Sequence, residues 1–183
     1  TSQGNTIKHR LIITRKHNGG SEKYGFYNRP SPAYIRILIP DDADLKSVAG
    51  NDRDDFRPLI NYEKSDFVKD QDLSKLESSY RTDNNSVTTF EESGKKGVGF
   101  WLTLEPGESK TVEVDYDTLI VGDNYNLYIQ KQPGLKVNNF ELILKGFKDA
   151  RTNSASVSIG TLGDDRILSY YLERDLSVNS LLK

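Results

Sequence analysis

The sequence contains no cysteine and no methionine, and it has two histidines and one tryptophan in 183 residues. Without cysteine the chain has no disulfide, no thiol nucleophile and no cysteine-ligated zinc or iron–sulfur site. His9 and His17 are its only imidazoles, so histidine-based acid–base catalysis and histidine-rich metal sites have little support. These absences remove several enzyme classes before any pattern is considered.

The sequence also lacks a charge excess and a long apolar run. Lys and Arg total 25 and Asp and Glu total 27, for a net charge of −2. A nucleic-acid-binding surface is normally basic, so we expect no nucleic-acid partner. No window approaches the ~18 consecutive apolar residues that a membrane-spanning helix needs, and no signal-peptide pattern is present. We therefore expect no membrane contact by this chain itself, which leaves a membrane anchor in a longer parent protein open.

Short alternating segments dominate the chain and predict β-strands. Residues 33–39 alternate between Pro32 and Pro40, and prolines bound a strand because they lack the ladder donor. Residues 97–104 and 109–116 flank a Pro-Gly turn, which predicts two antiparallel neighbours. Further strand patterns cover residues 9–17, 125–131, 139–145, 154–159 and 166–173. The predicted fold is all-β: one antiparallel β-sandwich domain over 1–183, immunoglobulin-like or related, with a barrel as the alternative.

Two regions depart from this pattern. Residues 41–96 carry 14 acidic and 9 basic side chains, a net charge of −5, and we expect an acidic, partly helical or irregular insertion there. Helix-compatible spacing falls within 65–80, and a mobile loop is expected at 82–86. The tail at 176–183 has a weak pattern and is expected to fray.

Aromatic side chains are the first candidates for a binding site. Tyr24 and Tyr27 lie in a segment with glycine and asparagine, where exposed flat rings would suit stacking on sugars. The alternative for both is an ordinary place in the core. For Trp101, next to Phe100 in a predicted strand, we expect a core position because bulky aromatic residues fill sandwiches.

Aspartates are the candidates for a metal site. Calcium takes six to eight oxygen ligands, and carboxylate-rich loops at the end of a sandwich supply them. The alternative is that these aspartates form local caps in turns, where the residue is common. The candidate calcium ligands are Asp41, Asp42, Asp44, Asp52, Asp54 and Asp55.

No catalytic set emerges from the sequence. Glycosidase chemistry needs two carboxyl groups at a fixed separation across a cleft. The adjacent pairs Glu91–Glu92 and Asp164–Asp165 are poor candidates, because neighbouring strand residues point to opposite faces. No nucleophile–histidine–acid relay is evident. We therefore expect that this chain is not an enzyme.

Four segments support a family resemblance. Residues 33–48 (AYIRILIPDDADLKSV), 99–116 (GFWLTLEPGESKTVEVDY), 125–134 (YNLYIQKQPG) and 171–175 (YLERD) occur in that order. Together they resemble the C-terminal extracellular region of bacterial envelope proteins in domain-of-unknown-function family 4012. The resemblance implies an exported body with a membrane-anchored parent and an association with envelope polysaccharide. It implies no catalytic residues.

These observations lead to three hypotheses about function. The first is a non-catalytic structural or interaction domain on the bacterial cell surface, with another surface protein or envelope polysaccharide as partner. The second is a carbohydrate-binding module, assisted by calcium, that uses Tyr24 and Tyr27. The third is an accessory domain of a polysaccharide-processing enzyme.

Overall fold

A computed structural model of the chain describes residues 6–53, 60, 64, 66–134 and 137–182. These residues are mostly in strands, and all of their strand pairings are antiparallel, so the all-β prediction is confirmed. The chain divides into two compact units, Thr1–Leu119 and Ile120–Lys183. Within the described part, no helix is long and apolar enough to cross a membrane.

The first unit contains two sheets, ordered β1-β7-β3 and β2-β6-β5-β4. It also has a short α-helix, α1 (Gln71–Glu77), and a 3-10 turn at Gly25–Asn28. Its strands are β1 (Thr6–Lys16), β2 (Ser31–Pro40), β3 (Asp44–Ala49), β4 (Arg81–Thr82), β5 (Thr88–Glu92), β6 (Lys95–Leu104) and β7 (Ser109–Leu119).

Strands β6 and β7 supply the centre of the first unit's core. The alternate residues Phe100 and Leu102 of β6 are fully buried, as are Val112 and Val114 of β7. These side chains form one apolar cluster with members from both sheets. The turn between the two strands is closed by the Glu108 amide, which donates to the Glu105 carbonyl at 2.9 Å. The predicted turn and its two flanking strands are therefore confirmed. The predicted pairing of these strands is wrong, because β6 and β7 lie in different sheets, where β6 pairs with β2 and β5 and β7 pairs with β1 and β3.

Trp101 lies outside this core, and the expectation of a core position is wrong. Strand residues alternate between faces, so with Phe100 buried inside, Trp101 is on the opposite face of β6, where it is half-buried. Its ring is 5.1 Å from the ring of Tyr34, its directly opposed partner on β2. The fully buried aromatic residue of this strand is Phe100.

The same outer face contains a tight contact between a glycine and a ring. Phe90 of β5 lies directly opposite Gly97 of β6, and the Phe90 side chain is only 2% exposed. A Cβ atom at Gly97 would lie 2.1 Å from Phe90 Cε2. The ring of Tyr80 and the guanidinium of Arg36 lie 5.1 and 4.4 Å from the Phe90 ring. The ring therefore occupies the space that a side chain at position 97 would need.

The acidic region 41–96 contributes to both sheets. It holds β3, which pairs with β7, β5, which pairs with β6, and β4, which pairs with β5. Among the residues of this region that the structure describes, the helical part is α1, whose first turn is capped by the Asp70 carboxylate. At 82–86 the chain forms a hydrogen-bonded turn, in which Asp83 Oδ1 accepts from the amides of Asn85 and Val87 at 2.8 and 2.9 Å. The region therefore contributes strands to both sheets of the first unit, although its composition resembles that of an insertion.

The second unit contains two further three-stranded sheets, ordered β10-β13-β8 and β11-β12-β9. Leu168, Leu176 and Val178 are fully buried within it. Its strands are β8 (Asn124–Ile129), β9 (Val137–Leu144), β10 (Arg151–Thr152), β11 (Ser158–Leu162), β12 (Asp165–Leu172) and β13 (Leu176–Leu181).

The tail that was expected to fray forms strand β13. It is the central strand of its sheet, paired with β10 on one side and β8 on the other. Leu176, Val178 and Ser180 alternate into the interior. The polar Ser and Asn residues between and among them hide this alternation in the sequence.

Candidate functional site

The connection between β1 and β2, residues 18–30, presents three aromatic rings to solvent. We call it the aromatic loop. Tyr24, Phe26 and Tyr27 are 57%, 65% and 53% exposed. The Tyr24 and Phe26 rings stack at 5.9 Å and 20°, and the Phe26 and Tyr27 rings are 4.3 Å apart and tilted by 40°. Contiguous exposed apolar surface on a folded protein commonly marks an interaction site.

Asn28 fixes the shape of the aromatic loop from within. Its Oδ1 accepts hydrogen bonds from the amides of Gly20 and Glu22 at 2.8 and 3.0 Å, and its Nδ2 donates to the Glu22 carbonyl at 2.8 Å. The Tyr27 amide donates to the Tyr24 carbonyl at 3.0 Å and closes the 3-10 turn between the rings. One side chain thus joins the two arms of the loop.

His17 anchors the base of the aromatic loop. Its Nε2 lies 2.9 Å from the Arg29 carbonyl, which only accepts, so Nε2 carries the proton in this contact. Its Nδ1 then accepts from the Gly19 amide at 3.0 Å. The His17 amide donates to the Glu108 carbonyl at 2.8 Å, which ties the same residue to the β6–β7 turn. The His17 imidazole therefore stabilises the conformation of the aromatic loop.

Gly19 allows the loop to fold back on itself. A Cβ atom there would lie 1.8 Å from the backbone oxygen of Tyr27. Any larger residue at position 19 would push away the turn that carries the rings. The aromatic surface therefore depends on a close backbone contact as well as on hydrogen bonds.

The aromatic rings have polar groups and one lysine side chain beside them. The Lys23 ammonium lies 5.7 Å from the Tyr24 ring centroid. Tyrosine combines an apolar ring with a polar hydroxyl, so the surface offers flat contact area with polar groups at its rim. Such a surface is suited to contact with a ligand that has both apolar and polar faces.

Sequence reasoning selects Tyr24 and Tyr27 and leaves out Phe26, the most exposed ring of the three. The structure brings Tyr24 and Tyr27 together through Phe26, which contacts both. The signal was available, since the three aromatic residues fall within four positions. The anchoring roles of His17, Gly19 and Asn28 carry no comparable local signal.

The first group of candidate calcium ligands lies at the β2–β3 turn. The Asp41 carboxylate accepts from the Asp42 amide at 3.0 Å, a local turn contact of the kind aspartate commonly makes. Asp44 is hydrogen-bonded to Lys46, and that bond holds the pKa of the Asp44 carboxyl below its usual value. The Lys46 ammonium therefore lies beside Asp44 where a bound calcium ion would have to lie.

Asp52 belongs to the second group of candidate calcium ligands, and it forms hydrogen bonds with the backbone of β6. Its Oδ2 accepts from the Thr103 amide at 2.6 Å and its Oδ1 lies 3.4 Å from the Lys110 ammonium. The Asp52 amide donates to the Trp101 carbonyl at 3.0 Å. Asp54 and Asp55 lie outside the described residues. Within the described residues, no group of three acidic or histidine side chains is arranged to hold a metal ion.

Comparisons of the sequence with protein-family models and with curated proteins find no match.

Proposed function

We propose that this chain is a non-catalytic carbohydrate-binding module of an extracellular bacterial envelope protein. The observation that carries the proposal is the aromatic loop, with three adjacent exposed rings on a backbone held by hydrogen bonds. Sugar rings have an apolar C–H face and a polar edge. The stacked rings of Tyr24 and Phe26 can contact the apolar face of a sugar, and the tyrosine hydroxyls can hydrogen-bond to its polar edge.

The rigidity of the loop supports recognition over a passive surface role. A loop that is already ordered loses little conformational freedom when a ligand binds. The contacts of Asn28 and His17 supply that order. Binding residues commonly lie on loops that a rigid scaffold holds in position.

The proposed architecture of the first unit is a β-sandwich. Buried residues of β6 in one sheet and of β7 in the other belong to one apolar cluster, as is usual where two sheets face each other. Such a scaffold places its connecting loops at the ends of the sheets, where they are accessible.

The cellular setting rests on the family resemblance of residues 33–48, 99–116, 125–134 and 171–175. It favours a position outside the bacterial cell, and envelope polysaccharide as the ligand. Calcium assistance, predicted from the aspartates of residues 41–55, finds no ligand group among the described residues, and the experiment below tests it with a chelator.

Binding of purified envelope polysaccharide, measured by calorimetry with calcium and with a chelator, tests the proposal. We expect saturable binding that weakens about 10-fold in Tyr24→Ala and in Phe26→Ala, since interface aromatic residues commonly contribute more than about 1 kcal/mol each. Tyr171→Ala, which removes an exposed ring of the second unit, is the matched control and should bind normally.

Gly19→Ala tests the role of the backbone, because it leaves all three rings in the chain but displaces their turn. Binding should weaken in this variant too. Equal affinity of wild type, Tyr24→Ala and Phe26→Ala would remove the aromatic loop as the site. If the chain bound a surface protein and no polysaccharide, the ligand would be a protein and the proposed carbohydrate ligand would be wrong.

A further inference from the structure

Strand β11 is an exposed edge with an unusual composition. It pairs with β12 on one side, and on its other side no described strand pairs with it. All five of its residues, Ser158–Leu162, are exposed. They lie in the longest charge-free run of the chain, the twelve residues 152–163, although 28% of all residues are charged.

Edges in the first unit are protected against pairing with other chains. Strand β1 carries Lys8, Arg10 and Lys16 along its length, and β2 has prolines at positions 32 and 40. Charges and prolines on an edge are the usual means of preventing edge-to-edge association. Strand β11 has neither. The contrast with β1 and β2 indicates that this edge is open to pairing.

The side chains of β11 add apolar area to the open backbone. Ile159 is 48% and Leu162 is 68% exposed. On the face that contains Gly160, the partner residues Ile167 of β12 and Ile143 of β9 lie in one row across the sheet. An additional strand beside β11 would cover Leu162 and extend this row.

We propose that β11 pairs in antiparallel fashion with β11 of a second copy of this chain. A two-fold axis at Gly160 places Ser158 opposite Leu162 of the other copy and Ile159 opposite Thr161. No like charges meet in this register, because the strand has none. The two sheets then join into one six-stranded sheet with the order β9-β12-β11-β11-β12-β9.

A second copy fits this edge better than an unrelated peptide does. The strand carries no charge that would attract an oppositely charged peptide. A second β11 has the same length and the same mixture of polar and apolar residues, as a two-fold interface requires. The pairing does not involve the aromatic loop. A dimer would carry two such loops, and the resulting avidity for a repeating polysaccharide is the one consequence that rests on the proposed function.

Charge placed at the two-fold axis gives the sharpest test. A Cβ atom at Gly160 would lie no closer than 4.0 Å to its nearest neighbour, the Ile167 carbonyl oxygen, so a side chain can begin there without a clash. Gly160→Lys puts two ammonium groups opposite each other, and Gly160→Glu does the same with two carboxylates. Mixing the two variants pairs Lys with Glu.

Sedimentation equilibrium on the full chain measures the outcome. We expect the wild type to move from 20.7 kDa towards twice that mass as concentration rises through the micromolar range. Each Gly160 variant should remain at 20.7 kDa, and their equimolar mixture should regain the dimer. The mixture also shows that both variants are folded.

Asn126→Lys is the matched control, because it charges the edge of β8, which also has no charged residue. This variant should dimerise as the wild type does. A wild type that stays monomeric, a dimeric Gly160→Lys chain, or a monomeric Asn126→Lys chain would each overturn the proposal. Loss of polysaccharide binding alone would leave it untouched.

Discussion

Substituting Gly97 by alanine should destabilise the first unit through a single atom. The new Cβ would lie between 2.1 and 2.4 Å from three carbons of the Phe90 ring. Carbon atoms in contact are normally about 3.5–4.0 Å apart, so the ring must move by roughly 1.5 Å. Phe90 is 2% exposed and lies beneath Tyr80 and Arg36, which leaves it little room.

The expected magnitude is the difference between two effects. Overpacking a filled interior costs about 1–3 kcal/mol. Replacing glycine by alanine recovers about 0.4–1 kcal/mol, because the unfolded chain has fewer conformations to lose. We therefore expect Gly97→Ala to lower the free energy of unfolding of the first unit by about 1–2 kcal/mol.

Urea unfolding followed by tryptophan fluorescence measures this change locally. Trp101 is the single tryptophan of the chain and lies on the same strand and the same face as Gly97. Gly25→Ala is the matched control in the same unit. No atom lies within 4 Å of its added Cβ, so stability should not fall.

A second substitution identifies the cause. Phe90→Leu shortens the group that the new methyl group meets, so the double variant should lose less stability than the two single variants added together. An unchanged urea midpoint for Gly97→Ala would refute the packing argument. Strict additivity in the double variant would show that the loss has another origin.

Two further predictions concern pH and the Asp52 contact. Burial lowers the pKa of His9 and raises that of Tyr116, whose ring stacks on it at 4.5 Å. The unfolded chain therefore binds a proton first below pH 6.5 and loses one first above pH 10.0, so stability should fall in both directions. Chemical unfolding across this range should show both declines, and His9→Gln should flatten the one that begins at pH 6.5. Asp52→Ala removes the acceptor of the Thr103 amide and should cost about 1–3 kcal/mol, with or without calcium; a loss confined to calcium-containing buffer would instead indicate a metal ligand.

The sequence predicts the elements whose signals are local. Strands β6 and β7 are an example, because alternation on both sides of a Pro-Gly turn indicates both strands and the turn between them. Their partners were not predicted, since the turn passes from one sheet to the other. Trp101 shows the limit. Alternation divides Phe100 and Trp101 between two faces but does not state which face is inside, and that depends on the partner sheet.

Long-range contacts account for the remaining differences. The charged region 41–96 resembles an insertion by composition, yet β3 joins its sheet through β7, a partner far along the chain. Asp52 resembles a calcium ligand by residue type, but it accepts from the Thr103 amide on β6. A sequence shows which groups a residue carries, and the fold determines which group it meets.

The aromatic loop was accessible from sequence only in part. The cluster of rings is visible at positions 24–27, but the sequence leaves open whether the two tyrosines are exposed or in the core. The hydrogen bonds of Asn28 and His17 were not visible, because they depend on how β2 returns beside the end of β1. These bonds turn a cluster of aromatic residues into a fixed surface.

The most direct test of the central claim is to follow the aromatic resonances of the chain by NMR while purified bacterial envelope polysaccharide is added. The account predicts saturable shifts of the Tyr24, Phe26 and Tyr27 ring signals, with the Tyr171 ring unaffected. Rings of the aromatic loop that keep their positions at saturating polysaccharide would contradict it.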